Sequence, residues 1–171
     1  MESRVSKLKS SALGSTLGRF VLPYAEKRRL HLRAIRAQQR GHLEVCGVVV
    51  VNASGRIKLR FMLHYSTMPY RFEMRRSEAQ AVQRAIERNG HRVLGSFHSH
   101  PVGEAKPGPG DIGKGFYGGV ELIYDVCGRC ARIWKVQKQG RAKRVFELPL
   151  YYEEGRRKVK ALGRRKRRVE K

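Results

Sequence analysis

The chain has 171 residues, 40% of them hydrophobic, and a formal net charge of +24 from 38 Lys and Arg against 14 Asp and Glu. That length suits one domain with its own core, and its longest apolar runs, such as residues 45–51, fall far short of the roughly 18 to 20 residues of a spanning helix. Three cysteines make no disulfide framework, and the charge excess points to a polyanionic partner while saying nothing about fold.

The charge is uneven, with a net +8 over residues 1–40, +9 over 155–171 and +7 over 41–154. This divides the chain into a basic arm over 1–22, a domain over 23–154 and a basic C-terminal tail over 155–171. The arm carries no secretory apolar region and lacks the Arg-rich amphipathic pattern of a transit peptide, so a cytoplasmic location is expected, with no membrane partner.

Pro23 suits the first turn of a helix, Leu30, Ala34 and Ala37 fall at i, i+4 and i+7, and Gly41 supplies a stop. Val45 to Val51 is a β-branched run, followed by the turn Asn52-Ala53-Ser54-Gly55 and by Ile57 to Leu63, which alternates apolar with basic residues. The two runs read as a hairpin. Ser77, with Gln80 three residues on, forms a capping box for a second helix whose buried stripe is Ala79, Val82 and Ile86 and whose stop is Asn89-Gly90.

Val93 to His98 reads as a buried strand and residues 101–110 as a Gly/Pro loop. Val120 to Val126 and Ala131 to Val136 read as strands joined through Gly128-Arg129, and Arg144 to Leu148 as another. Strands alternating with helices give an α/β class with a single mixed sheet and helices packed on it.

The segment Gly95-Ser-Phe-His-Ser-His-Pro101, followed by Asp111, carries the chemistry. Side chains alternate along a strand, so His98 and His100 share a face about 7 Å apart while Phe97 and Ser99 point away. Gly108 is tolerated at a helix N-cap, Pro109 fits the first helical position, and Asp111 then lies in the first turn, where a folded-back loop can bring it to the histidines. Two imidazoles and one carboxylate leave a fourth tetrahedral position open, the pattern of a catalytic zinc site, so Zn2+ is the expected cofactor. Glu44, just before the apolar run Val45-Cys46-Gly47-Val48, is the candidate general base and acid.

Glu44, then His98-x-His100, then Asp111 after ten intervening residues, resembles the motif of JAMM/MPN-domain zinc metalloproteases of the compact prokaryotic type. Glu-Val-Cys-Gly-Val-Val-Val at the entry to the first strand and the segment Arg88 to Phe97 are similar to the family's flanking text, over roughly residues 25–140. The resemblance implies an MPN, cytidine-deaminase-like architecture and a zinc-dependent peptidase or isopeptidase. Its expected substrate is the C-terminal tail of a ubiquitin-like or sulfur-carrier protein, lying as an added strand beside the sheet edge. The family usually has Ser three residues before the metal Asp, where it hydrogen-bonds the tetrahedral intermediate; here that position is Gly108. Losing one such donor costs about 100 to 1000-fold in rate, which discounts the expected activity, although Gly108 itself stays a candidate supporting residue and a backbone N–H at Gly110 could substitute. Ser99 and Ser96 are candidates for supporting roles.

A lone His-x-His pair is more often two satisfied histidines than a site, and it is Pro101, Asp111 and Glu44 that change the reading. His31, His42, His64 and His91 have no such company and read as surface or packing residues. Cys127-Gly-Arg-Cys130 lacks a second Cys/His pair for structural zinc and reads as a tight hairpin, with Gly128 supplying an unusual dihedral; Cys46 reads as a core residue. The alternative function is a catalytically weak MPN-like scaffold whose basic termini bind nucleic acid or another polyanion through counterion release, with no recognition module visible.

Overall fold

A computed structural model describes residues 20–114, 119–139 and 142–153. Six strands form a mixed sheet: β2 (Cys46–Val51), β3 (Ile57–Met62), β4 (Arg92–His100), β5 (Val120–Asp125), β6 (Cys130–Gln139) and β7 (Ala142–Leu148), in the order β3-β2-β4-β5-β6-β7. Two short strands, β1 (Phe20–Leu22) and β8 (Leu150–Tyr152), pair in parallel beside it. Helices α1 (Tyr24–Gln39), α2 (Arg76–Arg88) and α3 (Pro109–Lys114) complete the fold.

The hairpin of β2 and β3 forms as its alternation predicts, Val49 opposite Leu59. β2 is buried at every residue because it lies between two strands and is covered on both faces. Gly47 is required in it: a Cβ there would overlap the Arg60 carbonyl and come within 2.6 Å of Phe97 Cε1. Leu30 and Ala34 of α1 pack with Leu59, Phe97, Leu122 and Ile133 on one side of the sheet, which forms the main core.

The other side carries the chemistry, and topology explains why. β4 and β5 are parallel neighbours, so the chain must cross back over the sheet between them, through residues 101–119. That crossover contains α3 and brings Asp111 over the end of β4 that holds His98 and His100.

The expected arm over 1–22 is too long at its C-terminal end. Phe20 and Leu22 are buried in β1, because three apolar residues in extended chain find a partner in β8, a pairing too long-range for local pattern to reveal. Residues 1–19 and the tail over 155–171 lie outside the described residues. The capping box is also corrected. Helix α2 starts at Arg76 after Arg75 as N-cap, with no side-chain cap bond, so Ser77 sits inside the first turn. Gly90 has φ +74 and Gly41 φ +110, as their stop positions require. In the β5-β6 turn the positive φ of 53 belongs to Arg129 rather than Gly128. A Cβ on Gly128 would meet the Asp125 carboxylate, which accepts the Gly128 N–H at 2.8 Å, so a larger residue there would push that carboxylate aside.

Candidate metal centre

Strand period 2 puts His98 and His100 on one face of β4, and their Nε2 atoms face each other at 3.0 Å. Asp111, in the first turn of α3, approaches both, its Oδ1 lying 3.6 Å from His98 Nε2 and its Oδ2 3.7 Å from His100 Nε2. One donor atom from each of the three residues lies within 4.8 Å of the others, so the group could hold a metal ion.

Each donor is tied from behind. His98 Nδ1 donates to Glu121 Oε1 at 2.8 Å, and Ser96 Oγ donates to the other oxygen of the same carboxylate. His100 Nδ1 donates to the Glu104 carbonyl at 2.7 Å. Asp111 Oδ2 accepts the Gly108 N–H at 2.8 Å, so the helix cap fixes the carboxylate. The loop bearing Glu104 is held in turn by Trp134 of β6, whose Nε1–H donates to the Ala105 carbonyl at 2.8 Å. Phe72 stacks on the His98 ring, centroids 4.4 Å apart.

These partners decide which nitrogens are available. A carbonyl and a carboxylate only accept, so both Nδ1 atoms carry hydrogen and the two Nε2 lone pairs point at the same space as the Asp111 oxygens. Such a convergence calls for positive charge. Burial of His98 alone would lower its pKa, but the hydrogen bonds and charges of Asp111 and Glu121 outweigh it and push it up to about 10. Burial would likewise raise the Asp111 pKa, yet His100, His98 and the Gly108 N–H hold it well below the usual carboxylate range. A cation shared by two imidazoles and a carboxylate fits this donor set, whose nitrogen and oxygen chemistry suits zinc.

Glu44 is buried just ahead of β2. Val45 N–H donates to Ser99 Oγ and Ser99 N–H to the Val45 carbonyl, each at 3.0 Å, which docks this segment against β4, and Cys46 stands opposite His98. Alternation then puts Glu44 and Cys46 on the face of His98. Burial first, then the nearby charges of Glu121 and Glu44, push the Cys46 thiol up to about 12, so it stays a neutral packing residue.

Two sequence expectations change. Ser99 is fully buried on the opposite face of β4 from the histidines, so it positions the Glu44 segment and cannot reach a reacting carbonyl. The Gly108 N–H is engaged by Asp111 and is not free as an oxyanion donor. Gly110 lies in the first turn of α3, where backbone N–H groups lack helical partners by position. A Cβ on Gly108 would meet only Asp111 Oδ2, at 3.5 Å, so the site has room for a larger residue there. Glu121 is the residue the sequence reading missed. Its signal was a carboxylate set between Val120 and Leu122 in the apolar first half of the strand.

Cys127 and Cys130 are free and flank the β5-β6 turn. Among the described residues no helix is long and apolar enough to cross a membrane.

The fold is similar to the solution structure of the protein DSY2949 from Desulfitobacterium hafniense, with a TM-score of 0.61 and 21% identity over 80% of this chain and 94% of that one. No curated protein matches the chain. A family model, described as prokaryotic homologs of the JAB domain, matches residues 28–139, a span that takes in Glu44, both histidines, Asp111 and Glu121. The chain therefore belongs to the Prok-JAB family, whose members are generally metal-dependent hydrolase-like.

Proposed function

We propose that this protein is a zinc-dependent peptidase or isopeptidase that hydrolyses the amide bond at the C-terminal tail of a ubiquitin-like or sulfur-carrier protein. The observation that carries the reading is the facing pair of His98 and His100 Nε2 atoms beside the Asp111 carboxylate, with both Nδ1 atoms held from behind. Zinc bound to these donors would polarise the scissile carbonyl and acidify water for attack.

The remaining steps belong to the chain. Glu44 accepts a proton from the attacking water as its oxygen bonds to the carbonyl carbon, then delivers that proton to the amine nitrogen as the C–N bond breaks. Glu121 holds the His98 ring so that Nε2 rather than Nδ1 faces the reacting atoms. The pair Val45-Ser99 keeps Glu44 in register with β4. Without a Ser at position 108, the backbone N–H of Gly110 is the candidate for an additional donor to the developing oxyanion.

The test is incubation of the zinc-loaded full chain with a panel of Gly-Gly-tailed fusion proteins, with and without chelator. Cleavage after the Gly-Gly tail that disappears with chelator and returns on adding zinc is the expected result. Failure to cleave any fusion at full zinc occupancy overturns the reading.

A further inference from the structure

The middle of the outer edge of β3 is closed to an added strand. Glu26 accepts the Leu59 N–H at 3.0 Å, and Arg29 donates to the Leu59 carbonyl, so the backbone groups that a pairing peptide would use are already engaged. What the edge offers instead is charge.

A cavity of about 460 Å³ lies over β3 between α1 and α2, with Arg29, Arg33, Lys58, Arg60 and Phe61 in its wall. A second, of about 380 Å³, is lined by Arg33, Arg36, Arg40, Glu44, Cys46 and Phe61 among others. Arg33 and Phe61 belong to both, so the two adjoin at this pair as a groove along the strand edge whose second part reaches Glu44. Among the described residues, Glu44 is the one carboxylate in the second cavity's wall.

Arg33, Arg36 and Arg40 fall on one face of α1 and its C-cap, at i, i+3 and i+7. All three are exposed, and none forms an ion pair among the described residues. The Arg33 guanidinium lies 4.4 Å from the Phe61 ring centroid, which keeps its exposed charge beside the groove. Like charges lined up on a helix repel, and an anionic occupant relieves that repulsion.

We propose that this groove binds an extended acidic segment of the substrate polypeptide, its carboxylates facing Arg33, Arg36 and Arg40 and its chain leading to Glu44. The proposal rests on the hydrolase reading for its destination, and it names the substrate class. The spacing suits it: side chains two residues apart on an extended chain recur about every 7 Å, close to the roughly 5 to 6 Å between helix positions three or four apart. Nucleic acid fits less well, because Arg29 and Arg33 already lie over the Phe61 ring at 5.1 and 4.4 Å and compete with a base for stacking there.

The test uses zinc-loaded full-length protein at about 150 mM salt, where general attraction to the basic chain is screened. Fluorescence anisotropy reads binding of three labelled probes: an octapeptide alternating Glu and Gly, its Lys-Gly counterpart, and a single-stranded oligonucleotide of matched charge. The acidic peptide is expected to bind best, and about tenfold more weakly to the triple variant Arg33→Gln, Arg36→Gln, Arg40→Gln. Three solvent-facing charge pairs would together give a loss of that size. A control that neutralises Arg84, Lys135 and Arg144, which lie outside the groove, keeps the parent affinity.

Equal binding of the acidic and lysine peptides overturns the proposal, as does equal loss in the control and the triple variant. So does an oligonucleotide that binds more tightly than the acidic peptide and loses its affinity in the triple variant. Running the binding on Glu44→Gln as well separates the two readings. Acidic binding without cleavage by the parent removes the hydrolase and leaves the groove, while cleavage without charge preference removes the groove and leaves the hydrolase.

Discussion

Around His98 and His100 the polar side chains are held by partners from other strands and loops, whereas Arg33, Arg36 and Arg40 along α1 form no ion pair among the described residues. The first arrangement is rigid because β4, β5, β6 and the crossover each contribute a bond to it. The second is open because its three guanidinium groups are exposed. A group that must hold one ion in one geometry benefits from being fixed on every side, and a surface that meets a flexible chain benefits from exposed charge. Glu44 stands where the two meet, buried ahead of β2 at the end of the groove.

The largest expected effect is therefore at that junction. Glu44→Gln keeps shape and hydrogen bonding but cannot take a proton, and turnover of a Gly-Gly-tailed fusion should fall about 100-fold or more while bound metal is unchanged. Cleavage at the parent rate would remove Glu44 from the chemistry.

Next comes the rigid side. Glu121→Gln leaves a side chain that can still accept from His98 but lacks the charge, and metal affinity should weaken about 10 to 100-fold in a competitive chelator titration. Unchanged affinity would mean that Glu121 serves only to satisfy Ser96 and His98 in the fold. Trp134→Phe should have the smallest effect, on stability. It leaves the Ala105 carbonyl without its donor, at a cost of about 1–3 kcal/mol seen as a lower Tm in a thermal melt. A Tm equal to the parent's would show that the crossover is held without that bond.

Much of the metal centre was legible because it depends on local rules. Strand alternation put His98 and His100 on one face, and Gly108-Pro109 announced a helix start that carries Asp111 in its first turn. Glu121 was hidden for the opposite reason. It sits 23 residues from the histidine it holds, and only the parallel pairing of β5 beside β4 makes them neighbours. The pairing of β1 with β8 spans still more chain, so Phe20 to Leu22 read as part of an arm.

The charge count is coarser than either. The net +8 of residues 1–40 is one number, yet Lys27, Arg28, Arg29, Arg33 and Arg36 belong to α1 and Arg40 caps it. A count assigns charge to a stretch of sequence, and only packing says which face of a helix it lines.

The central claim is that His98, His100 and Asp111 together hold one metal ion. Elemental analysis of the purified full chain after zinc loading and desalting, set beside His98→Ala treated in the same way, tests it directly. About one zinc per parent chain is expected, with loss of that zinc in the variant. Retention of a full equivalent by a folded His98→Ala protein would contradict it.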